Sequence, residues 1–255
     1  ISFFIMATHR FYIPADQWNL ENLVLGEEES HHCLDVMRCR EGDRVIVFNG
    51  KGTESEAQIT VTNKGAVELK SLIVNQTSKP PASLTLGQAI PKGKNMDLII
   101  QKATELGAAR IVPLISERTV VQLSGEDLAK KQQKWQRVVI EACKQCGQNW
   151  LPEVGVPCSV EKFTRDAGDE FRLIAAISED AHTLKDTLAD WDEEKGDRPS
   201  SATLLIGPEG DFTPAEISQA LSSGFSPISL GPIILRSETA AIYALSVTAY
   251  ELMER

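Results

Sequence analysis

From residue 84 onward, short apolar runs alternate with stretches of helical periodicity, and this alternation limits the fold more than any other feature. LTLGQAI, RIVPLI, FRLIAAIS, TLLIG and SPISL read as strands. Between them come helical patterns. Asn95 is placed to cap a helix with the stripe Met96, Ile99, Ile100, Ala103, Leu106, closed by Gly107. A long helix covers roughly residues 126–146, and a short helical stretch follows FRLIAAIS. Thr213-Pro214-Ala215-Glu216 opens another helix with a cap, a proline at the first position and a glutamate at the third. Residues 238–253 form the last. Strands alternating with helices imply a mostly parallel sheet covered on both faces.

The first third is patterned differently. HRFYI, RVIVFNG, ESEAQITV and AVELKSLIV are short strands, with one helix expected over roughly 28–39. FNGKGTE has the Gly and Asn content of a hairpin turn. This part reads as a small β-barrel or sandwich. NQTSKPPAS, residues 75–83, is polar and proline-rich and is the best linker in the chain. We therefore expect two domains, residues 1–76 and 77–255.

Composition excludes several classes. At 255 residues, 42% apolar and 24% charged, the chain has the balance of a soluble globular protein. No apolar run approaches the ~20 residues that span a bilayer, so no membrane partner is expected. ISFFIMA is too short an apolar run, without a basic leader, to read as a secretory signal, and Met6 is a candidate initiator. Five cysteines, an odd count, point to reduced thiols and a cytoplasmic or organellar location. Cys143 and Cys146 form a lone CxxC without a second ligand pair, so no metal is expected. With Trp135, Val138, Val139 and Ala142 they share a helical stripe, which predicts that both thiols are buried. His31-His32 likewise lacks further ligands at suitable spacing and is read as a surface helix position. The net charge of −10 argues against a polyanionic partner until its distribution is considered. Residues 81–150 hold 10 Lys+Arg against 6 Asp+Glu, whereas residues 151–255 hold 8 against 19. A local basic surface is what nucleic-acid binding requires.

Three stretches carry candidate chemistry. TLLIGPEGDF, residues 203–212, runs a strand into a Gly-Pro-Glu-Gly loop, and ligands of open α/β sheets bind beyond the carboxyl ends of strands. The alternative is a plain strand-to-helix turn. LGPIILRSETAAIYAL, residues 230–245, repeats the arrangement, so two Gly-Pro loops are placed to wall one pocket. Its helix is apolar nearly all round and needs cover from the core or a subunit interface. Ser237 or Thr239 is its expected N-cap, and Glu238 suits its first turn. Arg236 gains nothing from a helix N-terminus. If buried it must pair with an acid or face a ligand. The third stretch is basic: Lys130, Arg137 and Lys144 recur every seven residues, with Lys134 nearby and Lys92 and Lys94 in a loop. They form either a solvated face or a contact for RNA phosphates.

These blocks together resemble the ribosomal RNA small-subunit methyltransferase E family of the knotted SPOUT superfamily. The matching segments are HRFYI, HHCLDVMRCREGD (31–43), KGKNMDLIIQKATELGAARIVPL (92–114), EACKQCGQNWLPEV (141–154), LLIGPEGDFTPAE (204–216) and LGPIILRSETAAIYAL. The resemblance implies an α/β protein with an N-terminal PUA-like β-barrel that helps bind RNA and a C-terminal SPOUT domain with a trefoil knot. It implies S-adenosylmethionine as cofactor, a homodimer with the site near the interface, and methylation of one uridine of small-subunit ribosomal RNA at N3, on naked RNA or the assembled subunit. Carried onto this chain, it assigns cofactor contacts to Ile206, Gly207, Pro208, Gly210, Leu230, Gly231, Ile234, Leu235, Ser237 and Thr239. Arg236 and Glu238 take the catalytic positions. Arg10, Arg38, Lys92, Lys94, Lys130, Arg137 and Lys144 are the expected RNA contacts. Three positions depart from the family: Asp211 where a second Gly usually follows GPEG, Ile233 where Arg is common, and Gln148 where Arg often follows QCG.

Uridine N3 is a poor nucleophile until it loses its proton. Arg236 is the expected stabiliser of the resulting anion, and Glu238 holds Arg236 or acts as base. The alternative is a catalytically retired RNA-binding or ribosome-assembly protein on the same fold. A phosphate or nucleotide enzyme is a third reading, but the GPEG loop contains no basic residue to support it.

Overall fold

The computed structural model describes residues 9–63, 65–119, 125–177 and 180–253. Residues 1–8, including Met6, lie outside the described residues. The chain forms two compact units, one of residues up to 79 together with 143–151, the other of 80–142 and 152–255.

In the first unit, β1 (Arg10–Tyr12), β2 (Leu23–Leu25), α1 (Glu27–His31), β3 (Arg44–Phe48), β4 (Thr53–Asn63) and β5 (Ala66–Gln76) build a five-stranded sheet of order β1-β3-β4-β5-β2. A π-helical turn, His32–Val36, prolongs α1. β1 runs parallel to β3, and the remaining pairs are antiparallel. Alternate strand residues turn inward, so Phe11, Leu23, Leu25, Val45, Val47, Ala57, Ile59 and Val67 share one core with Cys33. FNGKGTE is the β3–β4 turn, as its composition predicts. Asn49 Oδ1 accepts from the backbone N–H groups of Lys51 and Thr53 at 2.8 and 3.1 Å.

The segment 147–151, expected in the C-terminal domain, packs on this turn. The Gly52 N–H donates to the Asn149 carbonyl and the Leu151 N–H to the Gly50 carbonyl. Gly52 has φ +90, and a Cβ there would lie 2.6 Å from the Trp150 ring. Both the conformation and the space require glycine.

Two cations expected at RNA are committed inside this unit, which corrects the sequence reading. Arg10 donates to Glu54 at 2.9 Å and to Asn149 Oδ1 at 2.8 Å, with its side chain 12% exposed. Lys144 contacts Glu29 at 2.8 Å and His32 Nδ1 at 3.1 Å, with its side chain 7% exposed. Helical spacing puts Lys144 in line with Arg137 and Lys130, but it cannot reveal that α1 covers the end of that face. The reading of Cys146 also fails: Cys143 is buried and Cys146 is exposed. Burial pushes the Cys33 and Cys143 thiols up to about 12, so both are inert at neutral pH.

The second unit contains β6 (Ser83–Ala89), α2 (Asn95–Glu105), β7 (Arg110–Ile115), α3 (Gly125–Cys146, whose end belongs to the first unit), β8 (Glu153–Val154), β9 (Cys158–Ser159), α4 (Val160–Asp166), β10 (Phe171–Ala175), β11 (His182–Thr183), α5 (Leu184–Lys195), β12 (Ser201–Ile206), α6 (Pro214–Ser222), β13 (Ser226–Ser229) and α7 (Ser237–Met253). The sheet has order β11-β13-β10-β12-β6-β7-β8, with β9 also on β7, and every pairing is parallel. The expected parallel sheet is therefore present. Asn95 proves to be the first helical residue of α2. The cap position falls on Lys94, without a side-chain cap bond. At α6 the capping box is complete: Thr213 accepts from the Glu216 N–H, and Glu216 accepts from the Thr213 N–H. α7 packs on α2, β6 and β12. Among the described residues, no helix is long and apolar enough to cross a membrane.

Burial alone would raise the Glu54 carboxyl. Hydrogen bonds from Arg10, Asn149 and Asn75 outweigh it and hold the group below the usual glutamate range. A depressed folded value gives stability that is complete above the unfolded value of about 4.3 and is lost as pH falls through the folded value. Urea unfolding from pH 7 to pH 3 should therefore show a larger loss of stability for the native protein than for Glu54→Gln. Parallel pH profiles would refute this account.

Candidate active site

The carboxyl ends of β10, β12 and β13 lie side by side, and a cleft of about 240 Å³ opens above them. One wall is the GPEG loop after β12, with Ile206, Gly207, Pro208, Glu209 and Asp211. The opposite wall is the segment after β13, with Leu230 to Leu235. Ser237 and Ala240 of α7 and Ala175 to Ile177 after β10 complete it. The two Gly-Pro loops thus face one cavity, as their repeated pattern predicts. Gly231 has φ +115, a conformation that L side chains rarely adopt.

The α7 N-terminus differs from expectation. Arg236 occupies the cap position, and its carbonyl accepts the Ala240 N–H at 2.8 Å. The Ser237 hydroxyl does not cap the helix. It donates to the Gly207 carbonyl at 2.7 Å and accepts from Gln88 Nε2 at 2.9 Å. Thr239, the other expected cap, lies beyond the first helical residue. Arg236 is exposed, so the argument from a buried, unpaired arginine does not apply. Glu238 is half-buried in the first turn.

Of the expected cofactor residues, Ile206, Gly207, Pro208, Leu230, Gly231, Ile234, Leu235 and Ser237 line the cleft, whereas Gly210 and Thr239 do not. Arg236 and Glu238 stand outside the lining, beside Leu235 and Ser237. Arg38, Lys92, Lys94, Lys130 and Arg137 are exposed. Lys134 pairs with Asp97 at 2.6 Å.

Several contacts that shape the loop are invisible in the sequence. Arg118 Nη1 donates to the carbonyls of Gly210 and Phe212 at 2.5 and 3.4 Å. Glu209 accepts the Lys92 N–H at 2.9 Å, and Glu216 accepts the Glu117 N–H at 3.0 Å. Contacts this distant in sequence leave no periodicity. The β10 wall was missed because FRLIAAIS ends in no recognisable loop motif.

Asp211 has φ +60, the left-handed region where glycine is most at ease. Its Oδ1 accepts the Phe212 N–H at 2.8 Å, and its own N–H donates to the Pro208 carbonyl at 3.0 Å. Aspartate tolerates this conformation better than most residues.

The lining contains no Lys or Arg. Its two charged residues, Glu209 and Asp211, are acidic, and most of the rest is aliphatic or backbone. Such a cleft disfavours a phosphate and suits a ligand with an apolar body and a positive centre. Among the described residues, no cluster of three potential metal ligands occurs.

Fold and site together define an RNA methyltransferase. The RNA methyltransferase domain model matches residues 78–249, and the RNA methyltransferase PUA domain model matches residues 25–71. The ribosomal RNA small subunit methyltransferase E of Synechocystis is 33% identical over 246 residues, covering 96% of this chain and 78% of that protein. Its counterpart in Bacillus subtilis is 32% identical, covering 95% and 96%. This chain belongs to the ribosomal RNA small subunit methyltransferase E family. Among solved structures, the Neisseria gonorrhoeae family member bound to S-adenosylmethionine has a TM-score of 0.85 at 35% identity, covering 96% of this chain and 98% of that one. A Legionella pneumophila protein in complex with the same cofactor has a TM-score of 0.86 at 37% identity, covering 96% and 97%.

Asp211→Ala should cost about 1 kcal/mol through its left-handed backbone and the lost side-chain bond, and Asp211→Gly clearly less. Denaturant unfolding of the two variants checks this order. Equal stabilities would show that the backbone conformation is not what Asp211 supplies.

Proposed function

We propose that this protein transfers a methyl group from S-adenosylmethionine to N3 of a uridine in small-subunit ribosomal RNA. The observation that carries the reading is the cleft itself: two Gly-Pro loops at adjacent strand ends, without a basic residue, in a chain of this family. When bound, the cofactor supplies an electrophilic methyl group on a positively charged sulfur. Ile206, Ile228, Leu230 and Leu235 would enclose its apolar parts. Glu209 and Asp211 would complement its positive charge.

Arg236 would stabilise the anion left when uridine N3 loses its proton, acting from the cleft edge between Leu235 and Ser237. Glu238 would orient Arg236 or take that proton. The target must be unpaired or flipped to expose N3. Arg38, Lys92, Lys94, Lys130 and Arg137 are the retained candidates for phosphate contact. Arg10 and Lys144 are withdrawn because carboxylates already hold them.

Two further features belong to this reading. After β13, on one side of β10, the chain returns to pack α7 on β12 and β6 on the other side, a course that supports the trefoil knot. Ile233 and Ile234 are 71% and 85% exposed, and Tyr243 and Tyr250 of α7 are 49% and 65% exposed. Apolar surface of this extent beside a site favours cover by a second copy.

Arg236→Ala should lower methyl transfer to small-subunit RNA at least about a hundredfold, the scale of losing an oxyanion stabiliser. Its calorimetric affinity for S-adenosylmethionine should stay within about threefold of the native value, under 1 kcal/mol. Near-normal turnover would remove Arg236 from this role. Light scattering at micromolar concentration should return the mass of a dimer, and a stable monomer would count against subunit cover.

A further inference from the structure

We infer that Gln88 is a positioning residue for the cofactor cleft, acting through the Ser237 hydroxyl on the Gly207 carbonyl. This rests on the S-adenosylmethionine reading of the cleft. Gln88 is the sixth of the seven residues of β6, in register with Ile206 on β12 and Pro113 on β7. It is fully buried and does not line the cleft.

The direction of the relay is forced. An amide NH₂ only donates and a backbone carbonyl only accepts. Gln88 Nε2 donates to Ser237 Oγ, so the hydroxyl proton is left for the Gly207 carbonyl. Nε2 also donates to the Ala89 carbonyl at 2.8 Å. A flipped amide would set oxygen against that carbonyl, so the orientation is determined. The bond to Gly207 sets the plane of the Gly207–Pro208 peptide, part of one cleft wall. Ser237 belongs to the other wall. One relay therefore registers both walls against the end of β6.

Among the described residues, no group donates to the buried Gln88 Oε1. An aliphatic side chain of similar size would leave the Ala89 carbonyl and the Ser237 hydroxyl without the bonds that Nε2 makes. The amide supplies a donor, and that donor aims Ser237.

Calorimetry with S-adenosylmethionine and thermal unfolding without it, on Gln88→Leu and Gln88→Glu, test the inference. Gln88→Leu should bind the cofactor about five- to tenfold more weakly, the scale of one mis-set hydrogen bond. Its Tm should fall by only a few degrees, the scale of losing its two side-chain hydrogen bonds. Gln88→Glu should lose affinity as pH rises, beyond any change seen for the native protein. A neutral carboxyl can still donate to Ser237, whereas a carboxylate accepts the hydroxyl proton and strips it from Gly207. Native affinity in Gln88→Leu would overturn the positioning role while leaving the cofactor reading intact. A Gln88→Glu affinity that follows the pH dependence of the native protein would make Gln88 merely structural. A native protein that does not bind S-adenosylmethionine would overturn both readings.

Discussion

The hydrogen bond from Ser237 to the Gly207 carbonyl links the two segments that form the cleft. It joins the loop after β12 to the first residue of α7, so two segments thirty residues apart hold one shape. The parallel sheet makes the contact possible. With β10 between β12 and β13, both Gly-Pro loops emerge at the same edge. A parallel sheet leaves its strand ends together, which is why sites of this architecture gather there.

The loop's shape is held from outside its own motif. Arg118 binds the Gly210 and Phe212 carbonyls, the Lys92 backbone meets Glu209, and the capping box of α6 fixes the exit. Most of these bonds are directed at backbone groups, so they specify a path. Asp211 takes the left-handed turn and satisfies the next N–H itself. The apolar lining is then free to recognise shape, with two acidic groups to complement positive charge.

In the N-terminal unit the same economy is achieved with buried charge. Arg10–Glu54–Asn149 ties residues 143–151 to the β-sheet, and Lys144–Glu29–His32 ties them to α1 and the π-helical turn after it. Partly buried ion pairs of this kind contribute little net stability, but removing one partner leaves the other charge without its counterion. Their effect is to specify where residues 143–151 attach. A sequence reader sees only basic residues in a net-positive stretch and assigns them to RNA.

The sequence by itself determined the alternation of strand and helix, the capping box at Thr213, the turn at FNGKGTE, and the presence of a Gly-Pro loop after each of two strands. Each is a local pattern whose physics acts within a few residues. β8, β9 and β11, at two residues each, are too short to carry a period, and α4 has no cap signal beyond Ser159. Only the tertiary structure decided that Arg10 and Lys144 are occupied, that Cys146 is exposed, that Ser237 is a tether, and that Gln88 and Arg118 shape the loop. Those outcomes depend on partners far away along the chain. Burial and hydrogen-bond partnership are properties of the folded chain, and spacing along the sequence does not contain them.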